Sequence, residues 1–242
     1  MKKMLLIVSC LSVLSLSISS CDLIDDLFDD NDITPDAIGD AFIKQIKVND
    51  TVVYGLALYA YSNVEIGSAQ VTTLDQDTVI DLVQYNSSST VFRSYPTEES
   101  DFSEIVPAEG QYTFTVTTSL GEELIRTDFL TDELVDTLEI DSISVSMENI
   151  HVNWNKPENA DKYLVRLYNS DDVMIFASHY IPDFITEAGI SNFTHGWRYS
   201  SQNISNVKTL KVTAIKFESS EIFNEHYIQS TSEEIRNIEI QQ

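Results

Sequence analysis

The chain has 242 residues and 27.3 kDa, which suits two domains of about 100 residues each, and its 43% hydrophobic content with only 7 Gly and 5 Pro excludes a low-complexity chain. Lys+Arg number 14 against 39 Asp+Glu, a net charge of -25, which excludes general nucleic-acid binding, where cations must displace phosphate counterions, and electrostatic adsorption to anionic lipid. Two cysteines cannot make a disulfide framework.

At the N-terminus, Lys2 and Lys3 precede an apolar stretch through about Leu16, and small residues lead up to Cys21. This is the three-part plan of an export signal over residues 1–20, shorter and more Ser-interrupted than a spanning helix, with an anchor helix that stays attached as the alternative. Ile18-Ser19-Ser20-Cys21 resembles the lipobox of bacterial lipoproteins. That resemblance implies that Cys21 is lipid-modified and becomes the new N-terminus, and several acyl chains on one residue anchor stably. Cys10 leaves with the signal, which also explains why Cys21 has no partner. Loss of Lys2 and Lys3 takes the charge from -25 to -27. The residues from 21 to 35 form an acidic tether, with Asp22, Asp25, Asp26, Asp29, Asp30 and Asp32. A tether of this kind resembles the surface-export signal of Bacteroidetes lipoproteins, implying a surface-exposed outer-membrane protein, with a periplasm-facing one as the alternative. No Gly-containing calcium loop of EF-hand type is present, and no metal is expected.

From Pro35 onward the apolar pattern takes period two, the mark of half-buried strands. Phe42, Ile46 and Val48 define one face, with Lys44 and Lys47 between them. The next run, 51–61, contains Gly55, read as a bend or bulge. Further strands are predicted at 69–73, 78–85, 89–95, 110–116 and 123–130, seven in all, which reads as a β-sandwich over residues 36–136. The stretch Pro107-Ala108-Glu109-Gly110-Gln111-Tyr112-Thr113-Phe114-Thr115-Val116 resembles the sixth strand of immunoglobulin-like domains of bacterial surface proteins. It implies that the Tyr112 hydroxyl ties down the preceding corner.

An acidic stretch without Gly or Pro, 131–139, marks the boundary near Asp136 and predicts a short extended linker. The second domain is placed at residues 137–242. Ile150, Val152 and Trp154 alternate, a Pro157-containing turn follows, and Tyr163, Val165 and Leu167 alternate next. This resembles the second and third strands of fibronectin type III domains, and Leu210 to Ile215 resembles their sixth. The resemblance implies that Trp154 fills the space between sheets. It also implies a missing corner lock, because Lys208 stands where a tyrosine is usual. The fold class is therefore all-β: two tandem sandwiches, immunoglobulin-like and then fibronectin type III-like.

Chemistry is sparse. The four histidines, His151, His179, His195 and His226, share no metal-ligand spacing, and neither a nucleophile elbow nor a phosphate loop is present. No cofactor and no enzyme activity are expected. Phe193, His195, Trp197 and Tyr199 fall at every second position, so an extended segment would align them on one face. Trp197 and Tyr199 would then make a stacking platform for a sugar or an anchor for a protein, unless the row packs into the core. Thr51, Thr78, Thr137 and Ser142 each follow Asp and precede an aliphatic residue, which resembles the O-glycosylation sequon of exported Bacteroidetes proteins. The expectation is an envelope-bound binding or adhesion lipoprotein, membrane-held through its lipid, recognising a glycan or an envelope protein and no nucleic acid. A structural or accessory subunit of an outer-membrane assembly is the alternative.

Overall fold

Alternating β-branched and aromatic residues in the first half produce a long hairpin. Strands β1 (Ala37–Val48) and β2 (Thr51–Ser62) pair without interruption from Ala37 opposite Ser62 to Val48 opposite Thr51. Asn49 and Asp50, both at positive φ, close it, as a two-residue hairpin turn requires. Gly55 makes no bulge in this ladder; it lies beneath the Pro96 ring, which a Cβ would meet at 2.7 Å. The computed structural model from which this arrangement is taken describes residues 34–74, 77–218 and 226–239; the export signal of residues 1–20, Cys21 and all of the acidic tether but its last two residues lie outside them.

The remaining strands of this half are β3 (Ile66–Thr72), β4 (Val79–Gln84), β5 (Val91–Ser94), β6 (Gly110–Thr118) and β7 (Glu123–Leu130). Strands β1, β2 and β5 form one layer, and β4, β3, β6 and β7 the other, with β4 reaching β5 at one end. Between them lies a core of Ile43, Leu58, Val71, Phe114, Val116 and Leu130 among others. The Tyr112 hydroxyl donates to the Ala108 carbonyl at 2.9 Å, the corner tie implied by the sequence.

In the second half, β8 (Ile140–Val145), β9 (Asn149–Trp154) and β13 (Glu187–Ser191) make a three-stranded sheet. It faces β10 (Lys162–Tyr168), β11 (Met174–Ala177), β14 (Thr209–Phe217) and β15 (Ile228–Asn237), with the short β12 (Ile181–Pro182) alongside β10. The wiring repeats that of the first half. Trp154 is buried in this core, edge-on to Tyr163 at 5.3 Å. The corner that lacks a tyrosine is held by other means. A 3-10 turn, Ile204–Asn206, buries Ile204, and Asn203 and Asn206 cap it reciprocally.

Residues 35–242 make one unit with two apolar cores, Leu134 packing on the first and Val135 belonging to the second. The segment 131–139 is extended and pinned, the Val135 amide donating to the Ser230 hydroxyl and the Leu138 amide to the Ser232 hydroxyl, both at 2.9 Å. The decisive link is β15, which pairs with β14 on one side and, in parallel, with β1 on the other, Ile43 opposite Ser230 through Ile46 opposite Glu233. One layer from each half is thereby joined, and because β4 also reaches β5, both layers of the first half run on into a single 12-stranded sheet from which only β8, β9 and β13 stand apart among the described residues. Lys44, expected between the apolar residues of β1, is a consequence: it shares a face with Phe42 and is buried at this seam.

Candidate functional site

The aromatic row of the second half does not run straight. Between Ser191 and Tyr199 the chain turns twice, with the Thr194 amide returning to the Ser191 carbonyl at 3.0 Å. Gly196 adopts φ 129°, and a Cβ there would lie 2.3 Å from the Ala177 carbonyl oxygen, so only glycine fits. Its carbonyl accepts from the Ala177 amide at 3.1 Å, docking the turn on the edge strand β11. The four side chains therefore do not share one face. Trp197 is half-buried, edge-on to Phe176 at 5.3 Å, and its indole N–H donates to the Ser191 carbonyl at 3.0 Å. Phe193 and Tyr199 point outward instead, 97% and 51% exposed. Trp197 acts as the wedge that fixes the turn, and Phe193 and Tyr199 are the groups it presents. The same docking stacks His179 on His195 at 5.3 Å, a pair that no sequence spacing announces. His151 is exposed, with Nε2 at 3.6 Å from Glu187.

At the seam between the halves, Glu233 of β15 is buried with its carboxylate 3.3 Å from both Lys44 and Lys211. The Tyr95 hydroxyl donates to it at 3.2 Å, and Lys44 also donates to the Pro96 carbonyl at 2.9 Å while standing 4.2 Å over the Tyr95 ring. Burial alone would push the Glu233 carboxyl up, but the charges of Lys211, Lys44 and Arg166 outweigh it and bring it down to about 2. Lys44 moves the other way: burial lowers its ammonium, and Glu233 only partly restores it. The two differ because three cations face one carboxylate, whereas Lys44 has other cations beside it.

A second charged cluster lies nearby, all of one sign. Asp40 on β1, Asp128 on β7 and Glu218 directly after β14 each bring one carboxylate oxygen within 4.8 Å of the others. Burial, then Asp128 and Glu218, raises the Asp40 carboxyl well above the usual range. Burial likewise raises Asp128. Glu218 is pushed up to about 7 by burial and by Asp128, to which it is hydrogen-bonded. Residues 40, 128 and 218 are too far apart in sequence for any motif to flag them.

The sequon residues are placed unevenly. Thr51, Thr78 and Ser142 are exposed, whereas Thr137 is half-buried and its hydroxyl accepts from Gln45 at 3.3 Å. Asp50 and Asp141, which precede Thr51 and Ser142, line one shallow groove of about 480 Å³ with Lys47, Glu139 and Arg236. Its walls are charged and open to water, unlike the apolar concavity of a small-molecule site.

No family model matches the chain, and no curated protein is similar to it. Among solved structures, the chain is similar to the FN1–FN3 domains of chicken CNTN1, with 13% identity and a TM-score of 0.30 over 84% of this chain and 64% of that one. It is also similar to a two-domain fibronectin type III segment of chicken tenascin, with 11% identity and a TM-score of 0.28 over 84% of this chain and all of that one. The fold class rests on the strand order described above, not on these likenesses.

Proposed function

We propose that this chain is a lipid-anchored cell-envelope protein of the kind found in Bacteroidetes, and that its work is recognition rather than reaction. Cys21 carries the lipid, the acidic stretch after it is the tether, and the fused sandwiches hold a contact surface away from the membrane. The partner is a glycan or an envelope protein. The observation that carries this reading is the turn locked by Trp197 and Gly196, which presents Phe193 and Tyr199 to solvent. Exposed aromatic rings on a pre-ordered backbone bind with little further loss of conformational entropy, and such rings dominate contact energies.

The test is binding of the mature chain to a glycan panel and to isolated envelope proteins, compared with Phe193→Ala/Tyr199→Ala. Loss of binding by tenfold or more with an unchanged Tm supports the reading; equal binding by the variant refutes it. Membrane release of Cys21→Ala tests the anchor in the same preparation, and full retention would overturn it.

A second reading has its own support. The outer face of β4, β3, β6 and β7 is broad and carries exposed Val79, Val83, Ile125 and Phe129 around a centre of Thr and Gln. A sheet face that carries apolar side chains along both of its outer strands suits docking onto an assembly. In that case Val83→Lys/Ile125→Lys abolishes co-purification with envelope components while Phe193→Ala/Tyr199→Ala does not.

A further inference from the structure

Strand β1 has a divided edge. From Ile43 to Ile46 its backbone pairs with β15, but before that point it meets side chains of β7. The Ala41 amide donates to Asp128 at 2.6 Å, and Arg126 donates to the Ala37 carbonyl at 2.9 Å. Asp40 stands at this fork. It is 0% exposed, and its Oδ1 accepts from the Ile228 amide, the first residue of β15, at 3.2 Å. Its Oδ2 is equally buried and has no hydrogen-bond partner among the described residues. The charges acting on it are those of Asp128 and Glu218, of the same sign. A buried carboxylate oxygen without a donor is costly to keep charged, and either a proton or a cation must relieve it.

We propose that Asp40, Asp128 and Glu218 form a calcium site that clamps the two halves together. Carboxylate oxygens are hard donors, which excludes the softer transition metals as the natural occupant. Calcium takes oxygen ligands at about 2.3–2.6 Å in flexible geometry. Three oxygens within 4.8 Å of one another can therefore all reach one such ion. Magnesium demands near-ideal octahedral order at about 2.0–2.1 Å and gives up its waters reluctantly, so a cluster of carboxylates with one member fully buried suits it less well. Two ligands come from the first half, on β1 and β7, and the third from the end of β14 in the second half. The exposed side of Glu218 leaves that ion accessible to water. An occupied site fastens the fork where β15 enters the β1 edge.

The test uses the full mature chain, stripped with chelator and followed by thermal unfolding and calorimetric titration with calcium chloride. A dissociation constant of about 0.1–1 mM is expected for a three-carboxylate site of this kind, with a Tm rise of about 3–10 °C at 10 mM calcium. Asp40→Asn and Glu218→Gln should each abolish that rise. Asp81→Asn/Glu123→Gln, which removes exposed acids elsewhere, should keep it. Glu218→Gln guards against the chance that the buried variant fails to fold. The proposal is overturned if the wild type does not respond or if the response survives in Asp40→Asn and Glu218→Gln. It is also overturned if magnesium, or sodium chloride of equal ionic strength, reproduces the response.

Discussion

Replacing Glu233 by Gln removes one negative charge from a pocket where Lys44 and Lys211 both stand 3.3 Å from it. Removing one partner of a buried ion pair typically costs about 3–5 kcal/mol, because the other charge stays buried without compensation. Two features reduce that here. Lys44 keeps the Pro96 carbonyl and the Tyr95 ring, and the Lys211 side chain, 16% exposed, can turn toward water. The expected loss is about 2–4 kcal/mol, or about 4–16 °C in Tm for a chain of this size. Adding Lys44→Met should recover about 1–2 kcal/mol by removing the stranded cation. Acid unfolding supplies an independent arm. A folded-state carboxyl near 2, against its ordinary 4.5, means that the unfolded chain binds the proton first as pH falls. Stability contributed by Glu233 is then complete above about pH 4.5 and is lost toward pH 2, and the Gln variant lacks that limb. Urea titrations of wild type and variants from pH 2 to 7 measure both. A Gln variant within about 0.5 kcal/mol of wild type, or one with the same acid limb, would refute the reasoning.

Tyr112→Phe removes only the hydroxyl that donates to Ala108, and should cost about 1–2 kcal/mol in urea unfolding with the native spectrum retained. Gly196→Ala forces a Cβ against the Ala177 carbonyl at a φ that alanine avoids; the expected cost is about 1–3 kcal/mol, with faster proteolysis at 193–199. Residues 34–136 expressed alone leave the β1 edge unpaired from Ile43 to Ile46 and uncover Lys44, so gel filtration should show association or an expanded chain. A stable monomeric fragment would contradict the role given to β15.

What could be read from the sequence, and what could not, divides along the range of the interactions. Strands of the first half were legible because each pairs with a neighbour close in sequence and buries one face, so hydrophobic alternation is their direct trace. Ile150, Val152 and Trp154 show the same trace, and the Tyr112 tie, implied by the resemblance of its strand, lies within four residues of its acceptor. The pairing of β1 with β15 joins residues 187 apart and leaves no local mark. It also inverts the usual meaning of polar residues. Ser230, Thr231, Ser232 and Glu233 are buried, as are Asp40 and Lys44, because the seam covers a strand face that would otherwise meet water. The aromatic row misled for a different reason. Period two identifies a common face only in extended backbone, and Gly196 breaks that condition in the middle of the row.

Hydrogen exchange of the mature chain, with and without the envelope glycan or protein that it retains, tests the central claim most directly. Recognition through the locked turn requires new protection at residues 191–199, with little change elsewhere. Protection confined to the outer face of β3, β4, β6 and β7, or none at all, would contradict it.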